Sequence, residues 1–265
     1  MVLESLFPAK KVLKNPIDMF IFSFIISFVS IFLANLIFPG SGIGKIITLF
    51  ITVAMTPVIY TIFKKEEEEE RKEAEHKIHL TFWERRKDVI WLFTLFFLGN
   101  FAAVFLFSLS FPESYVSTIF SDQLSEIERI TSISGAAIYS DLLTVIVKNN
   151  LRVMFLSFIL SFIIGTGAII ILSWNASILA LYLASFLKKG LISEFLVRTV
   201  GLIPHAPIEI FAYFLAGIAG GILSVGMIRE KFFSKEFFLV FKDSVMMLLI
   251  AVLSILVGAF IEVFL

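Results

Sequence analysis

Cysteine is absent from the 265-residue sequence, and charged residues make up only 17% of it. The lack of cysteine excludes disulfide frameworks, thiolate metal sites and cysteine nucleophiles. Soluble domains contain about 25% charged residues, so the small charged fraction argues against a soluble fold. The formal net charge is +0, which gives no indication that the protein binds nucleic acid.

Histidine is scarce and enzyme motifs are absent from the sequence. Its three histidines are His76, His79 and His205, and it contains no HExxH, GxSxG, GxxxxGK[ST] or dinucleotide-binding pattern. The sequence therefore predicts no catalytic residue, no metal site and no cofactor. We expect a protein that is not an enzyme.

Apolar residues are abundant: they make up 58% of the chain, with a mean hydropathy of +0.97. A membrane-crossing helix needs about 20 consecutive apolar residues. The long apolar runs are 17–38, 46–63, 89–111, 151–174, 176–187, 205–228 and 237–265. The sequence predicts an all-α integral membrane protein, a bundle of about seven transmembrane helices. The run 176–187 would be only about 18 Å long as a helix, so it could instead re-enter, leaving six.

The distribution of Lys and Arg predicts the orientation of the bundle. With seven crossings and a cytoplasmic N-terminus, most of the 22 basic residues lie on the inner side, as the positive-inside rule requires. The pair Lys188 and Lys189 favours the alternative with six crossings. We expect a multi-pass protein of the cell membrane.

Three parts of the chain differ in composition. Residues 1–63 form a two-span hairpin, 64–88 a charged, helical cytoplasmic linker, and 89–265 a transmembrane bundle. The linker is interpreted either as a solvated connection or as a docking site for a soluble partner. The bundle carries an outer segment at 112–148, whose helical pattern near 121–133 fits either an amphipathic helix on the bilayer or a capped loop helix.

Polar residues within a predicted span are costly and mark candidate sites. His205 and Glu209 lie four residues apart, on one helical face that continues through small residues. Small residues allow helices to approach closely. The packing candidates are Ala216, Gly217, Gly220 and Gly221 in this span, and Gly165 and Gly167 in the fourth. Three interpretations of the His205–Glu209 pair stay open: a structural polar cluster, an ion or proton site, and a catalytic or transition-metal site.

A second polar cluster opens the fourth span. On the seven-span topology, Asn150 and Arg152 lie at the same membrane face as Glu209. We expect Arg152 to be the counter-ion of Glu209 and Asn150 its hydrogen-bond partner. Asn175 is expected to cap a helix or to line a break between helices.

These segments resemble a known family. The succession KNNLRVMFLSFILSFIIGTGAIIILSWNASILALYL, then LIPHAPIEIFAYFLAGIAGGILSVG, is similar to the stage II sporulation protein M family over about residues 141–265, extending back to 89 at most. The family pattern falls on Asn150, Gly165, Gly167, Asn175, Pro204, His205, Glu209, Ala216, Gly220 and Gly221. Ala206 and Ala176 stand where family members often have glycine. The resemblance implies a multi-span membrane protein, and the namesake is linked to a cell-wall-remodelling complex.

Two functions follow from these observations. The first is a channel or transporter for an ion or small solute, using a polar cluster within the bundle. The second is a non-catalytic membrane scaffold that assembles a protein complex. The lipid bilayer is the expected environment, and a homo-oligomer is a further expectation.

Overall fold

A computed structural model describes residues 15–76, 81–134, 139–229 and 234–264. The helices in these ranges are α1 (Ile17–Ile37), α2 (Gly44–His76), α3 (Phe82–Ser110), α4 (Glu113–Ile119), α5 (Ser121–Ser134), α6 (Tyr139–Ile164), α7 (Ala168–Lys188), α8 (Ile192–Leu202), α9 (Ala206–Arg229) and α10 (Lys235–Phe264). No strand occurs in the described residues. Seven of these helices, α1–α3, α6, α7, α9 and α10, are long and apolar enough to cross a membrane. The predicted class, an all-α bundle of about seven transmembrane helices, is confirmed.

The predicted boundary between the fourth and fifth spans is wrong. The chain turns at Gly165–Gly167, not near Asn175, and Gly165 has a φ of +78°, a left-handed conformation that glycine adopts without strain. The apolar run continues through the turn, so hydropathy does not mark it. Because α7 begins at Ala168, it has 21 residues and is long enough to cross, which removes the reason for a re-entrant segment.

Helix α9 lies at the centre of the bundle, packed against α2, α3, α6, α7 and α10. It is buried without interruption from Ala212 to Gly226. A methyl group added at Gly220 would collide with the backbone carbonyl oxygen of Phe158 in α6, and one added at Gly221 would collide with the ring of Phe63. The predicted small-residue face therefore lies where α9 meets α6 and α2.

The first two helices pack against the rest of the bundle. Helix α1 runs along α3, where the Ser27 hydroxyl donates a hydrogen bond to Asn100 Oδ1 at 2.7 Å. Helix α2 packs against α7 and α9 and continues to His76 as one unbroken helix. The predicted helical extension of the second span is therefore present.

The segment after α3 folds back onto the bundle. The helix expected near 121–133 is present as α5, and it packs against α7 and α2. Its buried Gln123 donates a hydrogen bond to Ser177 Oγ of α7 at 3.4 Å, and Asp122 pairs with Lys45 of α2 at 3.2 Å. These contacts match a packed loop helix rather than a helix lying on the bilayer alone.

Candidate functional site

The two ends of the bundle have different chemistry. We call the end where α2 extends to His76 and α9 ends at Arg229 the stem end. The opposite end, where α8 lies and α9 begins, is the cavity end. It holds a cavity of about 860 Å³, within the usual range of ligand pockets, about 300–1,000 Å³. The polar lining consists of Arg129, Thr131, Asn149, Asn150, Asn175, Arg198, His205, Glu209, Tyr213 and Glu262.

Glu209 is the buried acidic residue of this cavity. Its relative exposure is 9%, and its Oε1 atom has no hydrogen-bond partner among the described residues. Gly258 of α10 makes room for it, since a Cβ atom there would lie 2.7 Å from Glu209 Cγ. The carboxyl group is therefore placed within the cavity by close packing of α9 and α10, without a full set of polar contacts.

Asn150 connects Glu209 to α6. Its Oδ1 atom accepts hydrogen bonds from the Tyr213 hydroxyl at 3.0 Å and from Asn149 Nδ2 at 3.2 Å. The side chain of Asn150 also interacts with the Glu209 carboxyl group. The expected contact between Asn150 and Glu209 is present in the structure. Tyr213 was not among the predicted residues, although its spacing of four from Glu209 places it on the same helical face.

The expected Arg152–Glu209 ion pair is wrong. Asn150 is buried and Arg152 is exposed, because two residues along a helix differ by about 200° around its axis. The charged neighbour of Glu209 is instead a second acid, Glu262 of α10, which also lines the cavity.

Both arginines in the cavity lining have carboxylate partners elsewhere. Arg129 pairs with Glu126 at 2.6 Å, and Arg198 pairs with Glu194 at 3.6 Å. The hydrogen bond from Arg129 lowers the pKa of Glu126. Among the described residues, neither Glu209 nor Glu262 forms a salt bridge. In the described part of the chain, the cavity therefore holds Glu209 and Glu262 without a salt bridge to a basic residue.

His205 and Asn175 occupy the cavity wall in roles other than those predicted. The side chain of His205 makes no hydrogen bond with Glu209, although its backbone oxygen accepts from Glu209 N at 3.2 Å. Burial lowers the pKa of His205. Asn175 lies within α7, where its amide donates to Ile171 O at 2.8 Å. It neither caps a helix nor lines a break, because the turn lies at Gly165–Gly167.

The stem end carries a buried ion-pair network. Arg86 of α3 is only 1% exposed, and it pairs with Glu66 of α2 at 3.0 Å and with Asp243 of α10 at 3.3 Å. Arg85 also pairs with Asp243. One buried guanidinium group thereby connects three helices.

Arg229 extends the same network to α9. It pairs with Glu67 and, at 3.1 Å, with Glu68, both on α2. The interpretation of 64–88 as a solvated linker is therefore wrong for its first turn, where Glu66 and Glu67 are buried. The arginines that pair with these acids belong to α3 and α9. The pattern of charges within 64–88 does not indicate partners so far away in the sequence.

Comparison with protein families identifies the larger part of the chain. The family model described as Stage II sporulation protein M matches residues 92–265. Comparisons with curated proteins and with solved structures give no significant match. The matched region contains every residue that lines the cavity, whereas Glu66, Glu67 and Arg86 precede it. On this match, the chain belongs to the stage II sporulation protein M family.

Proposed function

We propose that the protein is a transporter in which a cation or a proton binds at Glu209. The supporting observation is the carboxyl group of Glu209, buried in a cavity with one oxygen that has no hydrogen-bond partner among the described residues. Ionisable residues within membrane spans are costly and usually belong to substrate or ion pathways. The proposal requires no catalytic step, in keeping with the expectation that the protein is not an enzyme.

The charges around Glu209 support a positively charged ligand. Glu262 lines the same cavity and interacts electrostatically with Glu209, and two ionised carboxylates in a partly desolvated site repel each other. The two arginines that line the cavity among the described residues, Arg129 and Arg198, form salt bridges with other carboxylates. A bound cation or proton would neutralise the site.

Access from one end supports a carrier rather than an open pore. The cavity lining extends from the exposed Arg198 to the buried Glu209. Beyond the cavity, α9 is closely packed, and the Arg86 network ties the helices together at the stem end. If the stem end is cytoplasmic, as the Lys and Arg distribution predicts, the cavity opens to the outside.

Currents from reconstituted protein would test the proposal. Proteoliposomes on a solid-supported membrane would be exposed to concentration jumps of Na⁺, K⁺, H⁺ and tetramethylammonium. We expect a protein-dependent current with at least one of these cations, lost in Glu209→Gln. The exposed Glu128 supplies the matched control, because Glu128→Gln removes an acid that does not line the cavity. Currents that persist in Glu209→Gln would reject Glu209 as the site.

The scaffold remains the second candidate, and the stem favours it. Helix α2 continues about two turns beyond Glu68 to His76, past the last pair of the Arg86 network, where a soluble partner could bind. Correctly folded protein that moves none of the tested cations would favour this candidate. Homo-oligomerisation stays a prediction, which light scattering of the purified protein would test.

A further inference from the structure

Helix α8 has two chemically different faces beside the cavity. None of its residues is buried. Ile192, Leu196 and Val200, spaced four apart, share one face and are each more than half exposed. Arg198 and Gly201 lie on the opposite side of the helix and line the cavity. The side of α8 that carries Arg198 thus faces the cavity, which α8 also lines with apolar residues. The side with the three exposed apolar residues faces outward.

The position of α8 indicates what covers the apolar side. It connects α7, which ends at Lys188, to α9, which begins at Ala206, so it lies between two membrane-crossing helices at the same end of the bundle. Exposing three large apolar side chains to water is unfavourable, by about 25 cal/mol per Å². An amphipathic helix in this position places its apolar face in the bilayer interface. Helix α8 is then the wall between the lipid and the cavity.

The cavity itself is largely apolar away from its acids. The apolar lining includes Phe97, Ile127, Ile146, Ile178, Val197 and Ile210. These side chains come from α3, α5, α6, α7, α8 and α9, so the apolar surface surrounds the space on several sides. A ligand that fills this space needs an apolar body as well as a group that binds Glu209.

The polar atoms near Glu209 do not suit a bare metal cation. Hard cations such as Ca²⁺ take six to eight oxygen ligands, and Mg²⁺ takes about six. Here Glu209 and Glu262 supply carboxyl oxygens, but Asn150 Oδ1 already accepts two hydrogen bonds. An organic cation needs fewer contacts, because a carboxylate and an aromatic ring such as that of Tyr213 can hold its charge.

We propose that the cavity binds an amphiphilic organic cation, which enters from the bilayer past α8 and places its positive group at Glu209. This inference rests on the proposed function, since it names the substrate class of the same site.

Two cations of equal charge and different apolar surface would test it. Binding of radiolabelled tetraphenylphosphonium and tetramethylammonium to the protein in nanodiscs would be measured by scintillation proximity, with empty nanodiscs subtracted. We expect tetraphenylphosphonium to bind at least about tenfold more tightly, because it buries more apolar surface. Glu209→Gln should weaken the binding of tetraphenylphosphonium by at least about tenfold.

A second variant distinguishes the contribution of the apolar lining to binding from that of the acidic residues. Ile178 lines the cavity on α7, and Ile178→Asn should weaken the binding of tetraphenylphosphonium while leaving that of tetramethylammonium unchanged. Glu128→Gln should alter neither. Size-exclusion profiles would show that each variant is folded.

The possible results separate this inference from the proposed function. Glu209-dependent binding of tetramethylammonium that is as tight as that of tetraphenylphosphonium would contradict an amphiphilic substrate and leave the proposed cation site unaffected. If no cation binds in a Glu209-dependent way, the organic cation is rejected, and the proposed function fails as well unless H⁺ jumps give a current that Glu209→Gln abolishes.

A fluorescent reporter tests the entry route. The three native tryptophans would first be replaced by phenylalanine. A tryptophan introduced by Leu196→Trp should then be quenched by brominated lipids, because its position faces the acyl chains. An unquenched tryptophan in a dimeric protein would show that a second copy covers α8, and would overturn entry from the bilayer.

Discussion

Among the described residues, the stem end and the cavity end both bury carboxylates, but only at the stem end do the buried carboxylates pair with arginine. At the stem end, Glu66 contacts Arg86, and Glu67 contacts Arg229. At the cavity end, the charged group that interacts with Glu209 is a second acid, Glu262. A buried charge without a partner is strongly unfavourable. The paired acids therefore hold helices together, whereas the unpaired acid is available to a ligand.

The largest expected effect comes from breaking the stem network. Arg86→Gln would leave Glu66 buried without its arginine, and breaking a buried ion pair from one side typically costs about 3–5 kcal/mol. We expect a large fall in the thermal midpoint of the purified protein. Lys87→Gln, at the exposed neighbouring position, is the control and should have little effect.

Removing both partners sharpens this prediction. The double variant Arg86→Leu, Glu66→Leu strands no charge within that pair, although Asp243 keeps its contact with Arg85. It should be more stable than Arg86→Gln, since an apolar replacement of a buried pair is often neutral. A double variant as unstable as the single one would argue against the pair as the cause.

Glycine substitutions should separate the packed middle of the bundle from the open cavity end. Gly220→Ala forces a methyl group against the backbone of α6, and overpacking of this kind typically costs about 1–3 kcal/mol. Gly201→Ala in α8 places its methyl group in open space and should be neutral or slightly stabilising. Equal thermal midpoints for the two variants would contradict the close contact at Gly220.

The same substitution should have opposite effects at the two ends. Glu66→Gln removes the charge that Arg86 pairs with, so it should lower the free energy of unfolding. Glu209→Gln removes a buried acid that has no basic partner, so it should leave that free energy unchanged or raise it by up to about 1 kcal/mol. Chemical denaturation in detergent would measure both values. A loss of stability in both variants would contradict the conclusion that the two ends differ in how their buried acids affect stability.

The smallest expected effect is a pH dependence from His205. Burial lowers its pKa from 6.5, so below pH 6.5 the unfolded state binds more protons than the folded state. The free energy of unfolding should therefore fall as the pH decreases through the ordinary pKa of histidine. Thermal midpoints measured from about pH 7.5 to 5.5 should fall less in His205→Gln than in the parent protein. Parallel curves would exclude His205 as a source of this dependence.

The helical class, the number of spans and the family were predictable from the sequence, because each depends on residues close together in the chain. Apolar runs predict the membrane-spanning helices, and the helical spacing of His205, Glu209 and Gly220 predicts that they share one face of α9. Asn150 was also placed beside Glu209 correctly. The same spacing argument would have identified Tyr213, since it lies one helical step beyond Glu209.

The charge partners were not predictable in the same way. The shared membrane face predicts a pair between Arg152 and Glu209. In the structure, Asn150 lies on the side of α6 that faces Glu209, and Arg152 lies on the opposite, exposed side. Arg86 and Glu66 belong to the segment 64–88, which the sequence predicts to be a charged, solvent-exposed linker. Their burial depends on how α2, α3 and α10 pack, and a single sequence does not report that packing.

The tight turn at Gly165–Gly167 has a consequence for how the chain is inserted into the membrane. The turn is buried and uncharged, and the Thr166 hydroxyl hydrogen-bonds to that of Thr56 in α2 at 3.1 Å. Only three residues separate α6 from α7. This turn is too short to stay in water if α6 is inserted into the membrane before α7. The two helices would then enter the bilayer together as a hairpin, after α2 has been inserted.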